Sequence, residues 1–190
     1  MIGVLGGGPA GRTAAMKLGL AGKDVTLVEK GGLGGQCLHY GCMVVCALND
    51  VARTLHTARN LHALGILDRV PSFSFPRTIS QMVSVQEKIT AILDAETRGC
   101  GVAIVRGEGS VEGNSLSVDG KALQTSALVI ATGSLPRIPS IPGVQNPGVF
   151  HAHSLSSMLA VPDRLLIIGG GIMAAEFAFI FHEWGADVDI

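Results

Sequence analysis

The apolar run Ile2-Gly3-Val4-Leu5 stops at Gly6-Gly7-Gly8-Pro9-Ala10-Gly11, which predicts a strand that ends in a glycine turn. A helical pattern over 12–21 follows, closed by Gly22, and then a second strand over 24–29. Beyond Cys42, Leu48, Val51, Ala52, Leu55, Ala58 and Leu61 recur at three and four, so an amphipathic helix reaches about 64 and ends at Gly65. The stretch 71–76 is a loop. Residues 77–98 form a second long helix with Ile79, Met82, Val83, Val85, Ile89, Ile92 and Leu93 as its apolar side, stopped by Gly99-Cys100-Gly101. Short strands are expected at 102–105, 109–111, 115–118 and 127–130, with turns at Gly113-Asn114 and Asp119-Gly120. A proline-rich connector (Pro136, Pro139, Pro142, Pro147) marks a domain boundary, and a short helical stretch is expected at 154–159.

After Pro162 the opening pattern returns: a strand over 164–168, the turn Gly169-Gly170-Gly171-Ile172-Met173-Ala174, a helix over 175–184 and the start of a strand from 185. A constant offset of 163 carries Gly6 onto Gly169, Gly8 onto Gly171, Gly11 onto Ala174, Gly22 onto Gly185 and Asp24 onto Asp187. The chain therefore reads as one complete strand–turn–helix–strand unit and the beginning of a second. It ends where a parallel sheet is unfinished, as a fragment of a longer protein would. The division is 1–147 and 148–190, in an α/β architecture of parallel sheet plus a small β-meander.

Each part of the first unit has a task. Gly6 makes the tight turn, Gly8 lets backbone approach a pyrophosphate, and Gly11 lets the helix pack close to the strand. Phosphates then sit at the helix N-terminus. Glu29 closes the second strand eighteen residues past Gly11, placed to accept hydrogen bonds from an adenosine ribose.

The next stretch is Gly34-Gly35-Gln36-Cys37-Leu38-His39-Tyr40-Gly41-Cys42. Two thiols this close can form a disulfide if the second opens a helix and the first lies in the turn before it. A thiol at a helix N-terminus feels unpaired N–H groups and the positive end of the macrodipole, the setting in which reactive thiolates arise. Two buried apolar cysteines or half a metal site remain open readings. Cys42 and Cys46 stand one turn apart on one helix face. Cys46 is expected to pack among apolar groups, and Cys100 to be an ordinary buried thiol.

Composition narrows the field. Fourteen Lys and Arg face fifteen Asp and Glu, which leaves no electrostatic footprint for nucleic acid or an anionic membrane. Only 15% of residues are charged and mean hydropathy is +0.44, yet the longest weakly polar run, 165–181, holds three adjacent glycines and Glu176. It reads as strand–turn–helix and not a membrane span. No signal peptide is expected at the N-terminus, and four cysteines with two in a tight motif suit a cytoplasmic redox or metal site.

With Gly6 to Gly11, Glu29-Lys30, the Cys37/Cys42 stretch, Ala131-Thr132-Gly133 and Gly169 to Glu176 in that order, the chain resembles the pyridine nucleotide–disulfide oxidoreductases. Within them it is most similar to the dihydrolipoamide dehydrogenase and mercuric reductase branch. The resemblance implies an FAD-binding first unit (Gly6, Gly8, Pro9, Ala10, Gly11, Glu29, Lys30, Gly35, Gln36, Cys42, Ala131, Thr132, Gly133). It implies an NAD(P)H-binding second unit (Gly169, Gly171, Glu176). It further implies that NAD(P)H passes a hydride to the flavin, whose electrons go on to a Cys37–Cys42 disulfide. Cys42 would be the flavin-side cysteine, and Cys37 the interchange thiol that attacks the substrate disulfide and so the more accessible of the two. The partners implied are a small disulfide or dithiol and, in the full-length protein, a second copy of the chain.

Three departures stand out. The family commonly continues G-C-x-P-S-K, where the lysine pairs with the glutamate matching Glu176; here Val44, Val45 and Cys46 occupy those positions, so Glu176 loses that partner. Cys46 becomes a third thiol near the pair. His39-Tyr40 replaces the common asparagine and valine, and His39 is expected to face solvent or pack. The family's proton-handling histidine and dimer interface belong to a C-terminal domain that this chain does not contain. Two alternatives stay open: a metal or iron–sulfur module using Cys37, Cys42 and Cys46 with Cys100 or His39, and an FAD-binding protein that reduces a metal ion or electron-transfer partner or is a non-catalytic paralogue.

Overall fold

The computed structural model describes residues 1–190 except Asn114, so the expected turn at Gly113-Asn114 lies partly outside the described residues. The chain divides into two compact units. The first comprises Met1–His39 and Val85–Pro147, the second Tyr40–Ser84 and Gly148–Ile190. Among the described residues, no helix is long and apolar enough to cross a membrane.

The first unit is built on a four-stranded parallel sheet in the order β3-β2-β1-β7, from β1 (Ile2–Leu5), β2 (Val25–Glu29), β3 (Val102–Arg106) and β7 (Ala127–Ile130). Val4, Val25, Leu27 and Val28 are almost wholly buried, as strands covered on both faces must be. Helix α1 (Pro9–Leu20) follows β1; it begins at Pro9, three residues before the expected start, because proline's fixed φ suits the first helical turn. An antiparallel meander of β4 (Gly109–Glu112), β5 (Ser115–Val118) and β6 (Lys121–Leu123) packs Leu116 and Val118 against Leu5 and Val28. The sequence pattern missed β6, whose three residues are too few to show alternation. It also missed the short helix α2 (Gly35–His39), which holds Cys37 where a turn was expected.

In the second unit, α3 (Cys42–Ala63) buries Val44, Val45, Leu48, Ala52, Leu55 and Ala58, close to the predicted stripe. Gly65 follows its end with φ +72°, a left-handed conformation that suits glycine. Strands β8 (Arg164–Leu166) and β9 (Asp187–Asp189) pair in parallel, and α5 (Ile172–Glu183) joins them. The repeat is visible at residue level. An offset of 163 carries α1 onto α5 end to end, and the Ile2↔Val25 pairing onto Leu165↔Val188. The expected short helix before β8 is a 3₁₀ turn at Ala152–Ser157. Trp184 stacks on Phe73 and meets Phe75 and Phe181 edge-on in this unit's core.

Helix α4 (Phe75–Gly99) contributes to both units. Its buried line is Phe75, Ile79, Met82 and Thr97, with Ile89 and Leu93 half-buried, whereas Val83, Val85 and Ile92 are exposed. The expected apolar side was too wide because Gln86 and Thr90 occupy the inward line instead of the neighbouring apolar residues.

Candidate functional site

The glycine turn does what its spacing asks. Gly6 has φ +103°, and a Cβ there would lie 2.2 Å from the Ala131 carbonyl oxygen, so only glycine allows the β1 turn to meet the end of β7. A Cβ on Gly11 would fall 1.9 Å from the Gly6 carbonyl oxygen, which is the close helix–strand packing predicted. Gly8 is the N-cap of α1 without a side-chain cap, so the first helical N–H groups stay available to an anion. Its missing Cβ faces open space apart from the Gly35 Cα at 3.8 Å.

The cysteine segment is tied to that turn. Gly34 N–H donates to the Gly7 carbonyl (3.0 Å). Gly35 has φ +55°, and a Cβ there would sit 2.6 Å from the Gly8 Cα. Helix α2 is held from its other end by Gln86, whose Nε2 donates to the Leu38 and His39 carbonyls at 2.8 and 3.2 Å. His39 Nε2 donates to the Leu33 carbonyl (3.2 Å), so the ring has a structural hydrogen bond and is not simply solvent-facing. Ser134, beside Gly133 (φ +72°), donates to the exposed Gln36 Oε1 at 3.4 Å. Ala131 N–H donates to Leu5 O (2.8 Å), so Ala131-Thr132-Gly133 leaves β7 beside the Gly6 turn.

Glu29 accepts from Gly7 N (2.6 Å) through one oxygen and from Gly31 N (2.7 Å) through the other, leaving lone pairs on both for a hydroxyl pair. Arg106, one strand over, donates to the Gly31 carbonyl (2.5 Å) and pairs with Asp94 (2.6 Å), fixing the turn after Glu29. Lys30 is exposed, 3.9 Å from Glu108. Leu5, Gly6, Glu29, Lys30, Glu108 and Thr132 are among the residues lining a cleft of about 150 Å³ at the carboxyl ends of β1 and β2. That is where ligands bind in open parallel sheets. The residues present fit an adenine dinucleotide: backbone N–H groups for the phosphates, a spare carboxylate for the ribose, and no Cβ at the approach point.

In the second unit Gly169 has φ +121° and Gly171 caps α5, and added Cβ atoms at Gly169, Gly170 and Gly171 meet nothing within 4 Å. This open loop fits a second dinucleotide. Glu176 gains a partner after all, although a neutral one: Asn49 Nδ2 donates to Glu176 Oε2 at 2.9 Å. Asn49 follows Cys46 by one turn of α3, so the face that carries the family lysine still supplies a donor. Two turns on, His56 Nδ1 meets Glu183 Oε1 at 2.8 Å and Arg59 bonds the same carboxylate and the Glu183 carbonyl. The equal separation of 127 in Asn49/Glu176 and His56/Glu183 means that α3 and α5 run in the same direction. Spacing alone gave no signal for Gln86, Arg106, Asn49, His56 or Arg59, because each acts on a partner remote in sequence.

Cys42 is the first residue of α3, as expected. The expected order of accessibility is reversed: Cys42 is exposed and Cys37 half-buried, because Cys42 precedes the packed stripe that starts at Val44 whereas α2 is tied down at both ends. Cys46 is exposed too, so it does not pack among apolar groups as expected. Cys100 is half-buried against the first unit's core. Among the described residues, no group of three or more His, Cys, Asp and Glu is placed to hold a metal ion.

The pyridine nucleotide-disulphide oxidoreductase family model matches residues 2–190. The chain belongs to that family. It is 35% identical to a dihydrolipoyl dehydrogenase of Staphylococcus aureus over 98% of its own length and 41% of that protein. It is 31% identical to that of Acholeplasma laidlawii, over 98% of this chain and 57% of the relative. Among solved structures it is similar to the HOCl-induced flavoprotein disulfide reductase RclA from Escherichia coli in its Cu(II) complex, with TM-score 0.84, 26% identity and coverage of 99% and 40%. It is likewise similar to LpdA from Mycobacterium tuberculosis, with TM-score 0.85, 25% identity and coverage of 98% and 43%. The chain thus spans about two-fifths to three-fifths of these proteins' lengths.

Proposed function

We propose that the chain is the amino-terminal part of a flavin-dependent NAD(P)H:disulfide oxidoreductase of the dihydrolipoamide dehydrogenase type. The observation that carries this reading is the join between the Gly6–Gly11 turn and the cysteine segment: Gly34 bonds to Gly7, and Gly35 touches Gly8 with no room for a side chain. The loop built for a dinucleotide and the helix bearing Cys37 are therefore one construction.

FAD held at this turn would supply hydride acceptance and two-electron transfer. The α1 N-terminus and Gly8 would hold its pyrophosphate and Glu29 its ribose, with Gly133 and Gln36 on neighbouring segments. Gly169 and Gly171 offer the corresponding phosphate site for NAD(P)H. With the pair reduced, the Cys37 thiolate attacks one sulfur of a substrate disulfide and the first substrate thiolate leaves. Cys42 then attacks Cys37 Sγ, releasing the second thiolate and closing Cys37–Cys42. The division of roles follows the family pattern by position. Domains 1–147 and 148–190 are read as the first segment of the FAD domain and the start of the NAD(P) domain. The setting is a cytoplasmic homodimer of the full-length protein, and the substrate a small disulfide or dithiol.

Anaerobic titration of the flavin-loaded full-length protein with dithiol tests this. A long-wavelength absorption band that persists in Cys37→Ser and vanishes in Cys42→Ser is the expected result. A flavin that bleaches with no such band in the wild type would refute the coupling of the cysteines to it.

A further inference from the structure

We propose that Cys42 and Cys46 form a second redox-active pair, which makes Cys42 the shared centre of a three-thiol relay. The inference rests on the reading above for the Cys37–Cys42 bond and adds a thiol to which that reading gives no role.

Burial does not explain Cys46. It lies on the exposed side of α3, off the stripe of Val44, Val45, Leu48 and Ala52, as does Cys42 one turn earlier. Cys100, by contrast, is half-buried against the cluster that holds Leu27 and Val102, so packing accounts for it.

The spacing is close to that of a disulfide. At a rise of about 1.5 Å per residue and a radius of about 2.3 Å, Cα atoms at i and i+4 lie about 6.2 Å apart. Disulfides span Cα separations of about 4.4–6.8 Å but need Cβ atoms at about 3.5–4.5 Å. Helical Cβ atoms at i and i+4 stand about 5–6 Å apart, so the first turn must tighten by roughly 1–2 Å. Only Cys42 and Met43 need move, because Val44 and Val45 are anchored in the core.

That end of the helix is lightly held. Its N-cap is Gly41, with φ −120° and ψ −119°, no side-chain cap and no acidic residue in the first turn. Its first backbone bond is Val45 N–H to the Gly41 carbonyl (2.9 Å).

The step is an exchange. Cys46, as thiolate after losing its proton to solvent, attacks Cys42 Sγ in the Cys37–Cys42 bond. The Cys42–Cys46 bond forms, the Cys37–Cys42 bond breaks, and Cys37 leaves as a thiolate that takes up a proton. The number of disulfides is unchanged and no outside oxidant enters. The result is an oxidised protein in which Cys37, the interchange thiol of the proposed mechanism, is reduced.

The sequence allows a clean test, since cleavage after Tyr40 and after Met43 puts the three thiols on three peptides. Flavin-loaded full-length Cys37→Ser/Cys100→Ser protein is oxidised with diamide, alkylated, cleaved and mapped. The expected product joins the Cys42 and Cys46 peptides and disappears when Cys46→Ser is added. In the wild type, acid-quenched mapping is expected to find both pairings, which removes dependence on how the variant folds. If the wild type yields only Cys37–Cys42 and the variant leaves Cys42 and Cys46 alkylated, the relay is overturned and the preceding reading stands. If the wild type yields no linked pair among the three, both fail.

Discussion

Gly11 and Ala174 occupy equivalent places in the two repeats, yet they meet different surroundings. A Cβ on Gly11 would collide with the Gly6 carbonyl oxygen at 1.9 Å, whereas the second repeat carries a real one on the buried Ala174. The first turn is wound more tightly on its helix, and Gly11→Ala must push backbone, not a flexible side chain. We expect this variant to lose about 1–3 kcal/mol, the usual cost of overpacking, as a lower urea midpoint. The residue scale is also where the departure from the family lysine resolves. Glu176 receives a neutral Asn49 donor (2.9 Å) in place of a cation, while Asn49 Oδ1 is buried without a partner among the described residues.

At the scale of elements, two anchoring devices stand out. Gln86 ties the carbonyl end of α2 to α4 through Leu38 and His39. Gln86→Ala removes those bonds and is expected to raise amide exchange in 35–39 by about 5- to 30-fold, equivalent to about 1–2 kcal/mol of local stability, with little change in β1 and β2. Exchange mapped by mass spectrometry checks it; unchanged rates across α2 would mean that Gln86 is not its latch. The α3–α5 pair is held by Glu183 against Arg59 and His56, in a helix whose other buried residues, Ala174, Ile180 and Phe181, are apolar. Arg59→Ala leaves that carboxylate with His56 alone and is expected to cost about 1–3 kcal/mol, below the value for a fully buried pair because Arg59 is itself partly exposed. Chemical denaturation of this variant beside Glu183→Gln provides the measurement.

At the scale of the whole molecule, the repeat makes a crossed prediction. Gly6 and Gly169 both hold left-handed backbone, at φ +103° and +121°, in turns assigned to different dinucleotides. Gly6→Ala is expected to abolish FAD retention on purification. Gly169→Ala is expected to keep FAD and weaken NAD(P)H binding at least tenfold by fluorescence titration. Equal loss of both cofactors in either variant would contradict the separate assignment of the two loops.

The sequence by itself determined the parts whose information is local. Glycines at fixed offsets mark the two turns, through positive φ at Gly6 and Gly169 and through backbone contact at Gly6 and Gly11; the helical period marks α3; the repeat offset of 163 anticipates the register of β8 on β9. Tertiary structure alone decided what depends on partners far along the chain. It placed Gln86 on α2, Asn49 on Glu176 and Arg59 on Glu183, turned Val83, Val85 and Ile92 of α4 outward, and exposed Cys42 and Cys46. A hydrogen bond between residues 127 apart leaves no periodic trace. A helix's own period shows which residues share a face but not which neighbour covers it.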